Sequence, residues 1–188
     1  MNLIERVKNI LLTPKTEWGT IKTETVTPSG MFTGYVLPLA LLPAAVAFLS
    51  GVLWIGTRYG IIMLFSALLS AAVGYFIGMY VTDALAPSFN STKNLAKSAQ
   101  LVGYSYTASA AASILGFIPG IGIIAALAGF VYSAYLMYLG VGPLKDTPED
   151  KKVIYVVVII LAEFVIGIII ASIITASFLA SNRIGMGY

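Results

Sequence analysis

Glu163 is the one ionisable residue deep inside an apolar run, and few kinds of chemistry suit a carboxyl in that setting. It lies ten residues past Val153, which at 1.5 Å per helical residue is roughly 15 Å from the nearer edge of a bilayer about 30 Å thick. Counted inward from the same side, Tyr75, Tyr104 and Tyr132 reach comparable depths in three other runs, so a carboxyl could meet phenol hydroxyls there. Unpaired charge at that depth costs several kcal/mol, which calls for a neutral or hydrogen-bonded carboxyl facing the interior of a bundle. The preferred reading is a neutral glutamic acid bridging helices through tyrosine hydroxyls, because no second acidic residue accompanies it. The other is a titrating group in a proton-coupled or cation-linked step of a small transporter.

Other chemistry is poorly provided for. The chain has no cysteine and no histidine, which removes thiolate nucleophiles, disulfides and the preferred ligands of zinc. It carries no HExxH, no Ser/His or Cys/His set and no phosphate-cradling P-loop. The glycines of Pro119-Gly120-Ile121-Gly122 lack the preceding strand that a dinucleotide fingerprint requires. The expectation is therefore a non-enzymatic protein without cofactor or metal. Nucleic acid is not an expected partner either, since the formal charge of +3 is spread over connecting segments rather than gathered into a stripe.

The elements that must position these residues are read from hydropathy. Of 188 residues 59% are hydrophobic and only 10% charged, outside the range of soluble domains. Apolar runs at about 31–56, 59–86, 95–117, 120–141 and 153–179 predict an all-α polytopic membrane protein with five transmembrane helices. Residues 1–30 form a short amphipathic cytoplasmic segment, and 31–188 form the membrane domain. In that first segment Leu3, Ile4, Val7, Ile10 and Leu11 fall on one side, with Glu5, Arg6, Lys8 and Asn9 on the other. Thr13-Pro14 reads as a cap with proline at the first helical position, and Trp18 suits the headgroup region. The segment is read as packed over the ends of the bundle rather than gripping lipid, because so short a helix binds a bilayer weakly alone.

Pro38 and Pro43 predict a bent first span. Ser66, Ser70, Gly74 and Gly78 in the second run, and Gly122, Ala126, Gly129 and Ser133 in the fourth, make small-residue seams, read first as packing within the subunit rather than as a homo-oligomer face. The third and fourth runs should pack as a hairpin. Asp83, Lys93 and Lys97 belong to the membrane interface, where an ion pair would staple spans two and three; snorkelling to water is the preferred account. Residues 140–152 are the clearest hydrophilic loop. Nine of the eleven Lys and Arg residues fall on one side of five spans, leaving only Arg58 and Arg183 for the other. That asymmetry predicts a cytoplasmic amino terminus and a carboxyl terminus across the membrane.

Several local patterns converge on one family. Pro14 with Trp18, Ile21 and Glu24, the stretch Gly103-Tyr104-Ser105-Tyr106, the turn Ile118-Pro119-Gly120-Ile121-Gly122, and Val131-Tyr132-Ser133-Ala134-Tyr135-Leu136 before Gly140 resemble the Yip family of five-span membrane proteins in its compact prokaryotic form. The resemblance covers nearly the whole chain and implies a cytoplasmic amino terminus. Eukaryotic members interact with Rab-type GTPases; here only about 30 residues precede the first span, and Ala108 stands where the family often has proline. Rab binding is therefore not carried over. The resemblance implies a multi-pass protein of a bacterial or archaeal cytoplasmic membrane that organises the membrane or recruits partners. Its expected partners are the lipid bilayer, further copies of itself or other membrane proteins. A small permease built around Glu163 is the alternative, which a wet cavity reaching that residue would favour; a dry, tightly packed bundle would favour the interaction role.

Overall fold

The computed structural model describes residues 2–118 and 120–185, with side-chain surroundings as far as Ile169. Pro119 of the expected turn and the side chain of Arg183 lie outside this set. The regular structure among the described residues is all helical, with no strand. Four helices are long and apolar enough to cross a membrane: Pro28–Trp54, Thr57–Phe89, Ile121–Lys145 and Glu149–Ile169. Only 11–28% of the residues in their most apolar stretches are buried, so large apolar side chains such as Leu53, Phe65, Leu69, Ile123 and Phe164 cover the outside. Water does not tolerate such a surface, whereas lipid does. The molecule is a multi-pass membrane protein.

Two short helices come first. In α1 (Leu3–Leu12) the Asn2 side chain accepts hydrogen bonds from the backbone N–H groups of Ile4 and Glu5, satisfying donors that a helix start leaves free. Pro14 opens α2 (Pro14–Thr23) as expected, but Thr13 makes no side-chain cap and donates back to the Asn9 carbonyl at 3.1 Å instead. Arg6, assigned to the solvent side from periodicity, is buried beside Ile10. The reason is tertiary: α1 turns its charged flank toward acidic residues of α2, as described below.

The first long helix begins as α3 (Pro28–Met31), passes through a π-helical stretch at Phe32–Val36 and continues as α4 (Leu37–Trp54). The widened turn lies directly ahead of Pro38, whose ring would clash with a regular preceding turn. Gly56, at φ +137°, reverses the chain into α5 (Thr57–Leu85). There Gly51 and Gly60 touch backbone to backbone: a Cβ on Gly51 would sit 2.5 Å from the Gly60 Cα. Gly51→Ala is expected to cost about 1–3 kcal/mol, since neither backbone can yield. Gly74→Ala, where an added Cβ meets nothing within 4 Å, should leave unfolding in micelles unchanged, and equal midpoints for the two variants would contradict the close approach.

The third apolar run is not one long helix. It comprises α6 (Leu95–Ser105), α7 (Thr107–Ala112) and a 3-10 stretch at Ser113–Phe117. At the break Thr107 Oγ1 donates to the Tyr104 carbonyl at 2.6 Å, and the Ser109 amide donates to Ser133 Oγ of the next long helix at 3.1 Å. Side chains thus take over backbone groups that a continuous helix would satisfy internally. A count of five spans requires these three pieces to cross together. The next helix, α8 (Ile121–Lys145), packs on α7 through Gly129, where a Cβ would lie 2.5 Å from Ala112 Cβ, and through a 2.8 Å contact between Ser109 and Ser133 hydroxyls. Its seam carries Ala125 rather than Ala126, which is exposed. The expected α5 seam is also only partly a seam: Ser66, Ser70 and Gly74 are exposed, and Gly78 alone of the four is closely packed.

Residues 140–152 do not form a long loop. Helix α8 runs through to Lys145 and α9 (Glu149–Gly185) begins four residues later. In the bundle α6 is surrounded by α3, α5 and α8, α9 leans on α5 and α8, and α1 and α2 sit against α7 and α8.

Candidate functional site

Glu163 faces the bundle interior from α9, against α5. A Cβ on Gly78 would lie 2.6 Å from its Oε1, so the glycine of the second run is what leaves room for the carboxyl. Oε1 is buried and has no hydrogen-bond partner among the described residues. The expected phenol partners bond elsewhere. Tyr75 Oη donates to the Pro28 carbonyl at 2.8 Å, and Tyr132 Oη donates to the Leu11 carbonyl at 2.6 Å. Tyr104 packs edge-on against Tyr35 and Trp18, with the Arg6 guanidinium 5.3 Å from its ring centroid. Equal depth along the chain did not mean a common face. Only Tyr75 of the three shares a cavity with Glu163, and its hydroxyl is spent on the start of the first span. Leu11 lies in the last turn of α1, where carbonyls lack intrahelical donors, which explains the pull on Tyr132.

The other polar residues gather at one end of the bundle. Arg6 forms ion pairs with Glu17 and Glu24, locking α1 to α2 and to the connection into the first span. Trp18 is 1% exposed and lies on Gly140 of α8, where a Cβ would come within 2.7 Å of its ring. It is therefore part of the core and not a headgroup anchor. Lys97 donates to the carbonyls of Lys22 and Glu24, each at 2.8 Å, which ties the end of α2 to the start of α6. Lys93 is exposed.

Asp83 does not snorkel. It accepts from Lys145 Nζ at 3.1 Å, and the same ammonium donates to Ser98 Oγ at 2.6 Å and to the Asn94 carbonyl at 3.2 Å. All three ammonium protons thus have acceptors, and Lys145 is fully buried. The staple joins α5, α6 and α8 rather than spans two and three alone. Thr92 N donates to the Lys145 carbonyl at 2.7 Å, and Ser91 and Thr147 hydroxyls meet at 2.9 Å, closing the same end. Sequence reasoning missed Arg6, Lys145 and Ser98. A usable signal for Arg6 was present in α2 and just past its end, where Glu17 and Glu24 flank Trp18 and Ile21 in the sequence. Among the described residues no group of three or more His, Cys, Asp or Glu side chains could hold a metal.

A model of the Yip1 domain matches residues 8–174. The chain belongs to the Yip1 domain family. No curated protein and no solved structure matches it. In this Yip1 domain protein three of the four stretches that carried the resemblance, those of Trp18, Gly103-Tyr104 and Ser133, lie at helix contacts. Gly103 lets Met31 approach, a Cβ there lying 2.6 Å from Met31 Cε. Tyr104 packs against Trp18 of α2, and Ser133 holds the α7 backbone. In this chain these residues hold the amino-terminal helices, the first span and the broken third element together.

Proposed function

We propose that this Yip1 domain protein is a non-enzymatic membrane protein that organises a membrane or recruits partners through its basic end. The observation that carries this reading is the fixed amino-terminal foot. Its inner face is locked by Arg6, Trp18 and Tyr132, and its outer face shows Ile4, Lys8 and Leu12 one helical turn apart, with Lys15 beyond, all exposed. A cationic and apolar strip held against a bundle suits the boundary between water and lipid, and a partner that approaches along it. The charge count supports placing this end on the cytoplasmic side. With α6, α7 and the following 3-10 stretch crossing together over about 30 Å, the chain has five spans and a carboxyl terminus on the far side. A cavity does reach Glu163, the feature that would favour the permease alternative, but its exposed lining residues Ser70, Gly74 and Phe130 lie half-way along α5 and α8 rather than at a polar end.

Because the chain has no cysteine, single-cysteine labelling is clean. Lys8→Cys and Lys151→Cys should react with an impermeant maleimide from one side of sealed vesicles, and Arg58→Cys and Arg183→Cys from the other. Reaction of Lys8→Cys and Arg183→Cys from the same side would overturn the five-span count. For the role itself, a photo-crosslinking residue at Leu12 should give a discrete adduct in native membranes that is lost on changing Lys8 and Lys15 to Glu. The proposal fails if those changes alter no adduct while Glu163→Gln abolishes a solute or ion flux.

A further inference from the structure

The cavity beside Glu163 has a volume of about 240 Å³ and lies among α5, α6, α7, α8 and α9. Its lining is mostly apolar, with Val102, Met137 and Ile160 among it, and a few polar groups interrupt it. Ser105 is 2% exposed, its Oγ has no hydrogen-bond partner, and Glu163 Oε1 is likewise unpartnered. Ser109 and Ser133, hydrogen-bonded to each other, add two hydroxyls to the lining. Ser70 and Gly74 on α5 and Phe130 on α8 are exposed lining residues, and around them stand Leu69, Val73, Leu127 and Val131, all facing outward. The exposed lining residues lie half-way along α5 and α8, so this largely apolar pocket, with its few hydroxyls and one carboxyl, faces the bilayer.

Of the five buried side-chain polar atoms without a partner among the described residues, two belong to residues lining this cavity, and each keeps an unmet demand for a hydrogen bond. The volume is below the roughly 300–1,000 Å³ of pockets that enclose a drug-sized ligand. It suits the polar end of a larger molecule whose chain remains in lipid. We propose that this cavity binds the hydroxyl or amino end of a lipid-soluble amphiphile, with Glu163 and Ser105 accepting its hydrogen bonds and its apolar tail leaving between α5 and α8. Gly74 lines the mouth, and a Cβ there meets nothing within 4 Å, so the position has open space in which a larger side chain can narrow the opening.

The test uses the full chain in phosphatidylcholine nanodiscs with three diazirine probes of equal chain length: a long-chain alcohol, the corresponding primary amine and the methyl ether of the alcohol. The alcohol or the amine should label peptides containing Ser105, Ser133 or Glu163 at least tenfold more than the ether, and whichever labels more identifies the head group. Gly74→Leu should reduce that labelling at least tenfold with its unfolding midpoint unchanged. If Gly74→Leu does not fold, competition replaces it: unlabelled alcohol or amine should suppress labelling of the wild-type protein and unlabelled ether should not. Equal labelling by the ether, adducts confined to other surfaces, or no adduct with any probe would each overturn the proposal.

Discussion

Lys145→Met is expected to cost about 3–5 kcal/mol, because it leaves the Asp83 carboxylate buried with its cation gone. Lys145 is fully buried and Asp83 is 7% exposed, so water cannot replace the lost partner as it would at a surface. The partners are spread over α5, α6 and α8, and the loss should appear in global unfolding rather than in fraying of one helix. Adding Asp83→Leu should return most of the stability, since two apolar residues of suitable size remove the orphaned charge together with its demand. Denaturant titration in micelles measures both. A single Lys145→Met change within 1 kcal/mol of wild type, or a double variant no better than the single one, would contradict a buried staple.

Arg6→Gln should release the amino-terminal foot while leaving the spans folded. The guanidinium is buried between Glu17 and Glu24 and lies over the Tyr104 ring, and without it Glu17 remains buried and unpaired. About 3 kcal/mol of local destabilisation follows, equivalent to roughly two orders of magnitude in the population of the open foot. Proteolysis between α2 and the first span should accelerate by that factor. A spectroscopic readout is available because the chain has two tryptophans, Trp18 at 1% exposure and Trp54 at 68%. In a Trp54→Phe background, the emission of Trp18 should shift to the red as it leaves Gly140. Unchanged emission and unchanged cleavage would show that the foot is held by its apolar contacts alone.

Both predictions concern residues that hydropathy treated as surface. Lys145 looked like part of a hydrophilic loop over 140–152 because charged residues and prolines follow it closely, yet α8 carries it into the bundle, where three acceptors converge. Arg6 fell on the polar side of α1 by periodicity. Burial there depends on what α2 offers, and no local pattern in α1 contains that information. Glu163 was legible as the buried carboxyl because a charge in the middle of an apolar run has few places to go. Its neighbours were not legible: Tyr75, Tyr104 and Tyr132 sit at similar depth but take carbonyl or aromatic partners, and Gly78 stands beside the carboxyl instead. The break in the third apolar run was equally hidden, because it rests on Ser133 of another helix taking the Ser109 amide.

The sequence by itself determined that the chain is helical, that it lives in lipid, and that its cations lie toward one end, together with the motifs of its family. These depend on hydropathy, length and composition, which a bilayer reads residue by residue. Tertiary structure decided which charges are buried, how the amino-terminal foot is fastened, where the third element breaks and that a cavity forms beside Glu163. Those depend on side chains from four or five helices arriving at one point, and the rotation of each helix about its axis is set by its neighbours rather than by its own sequence.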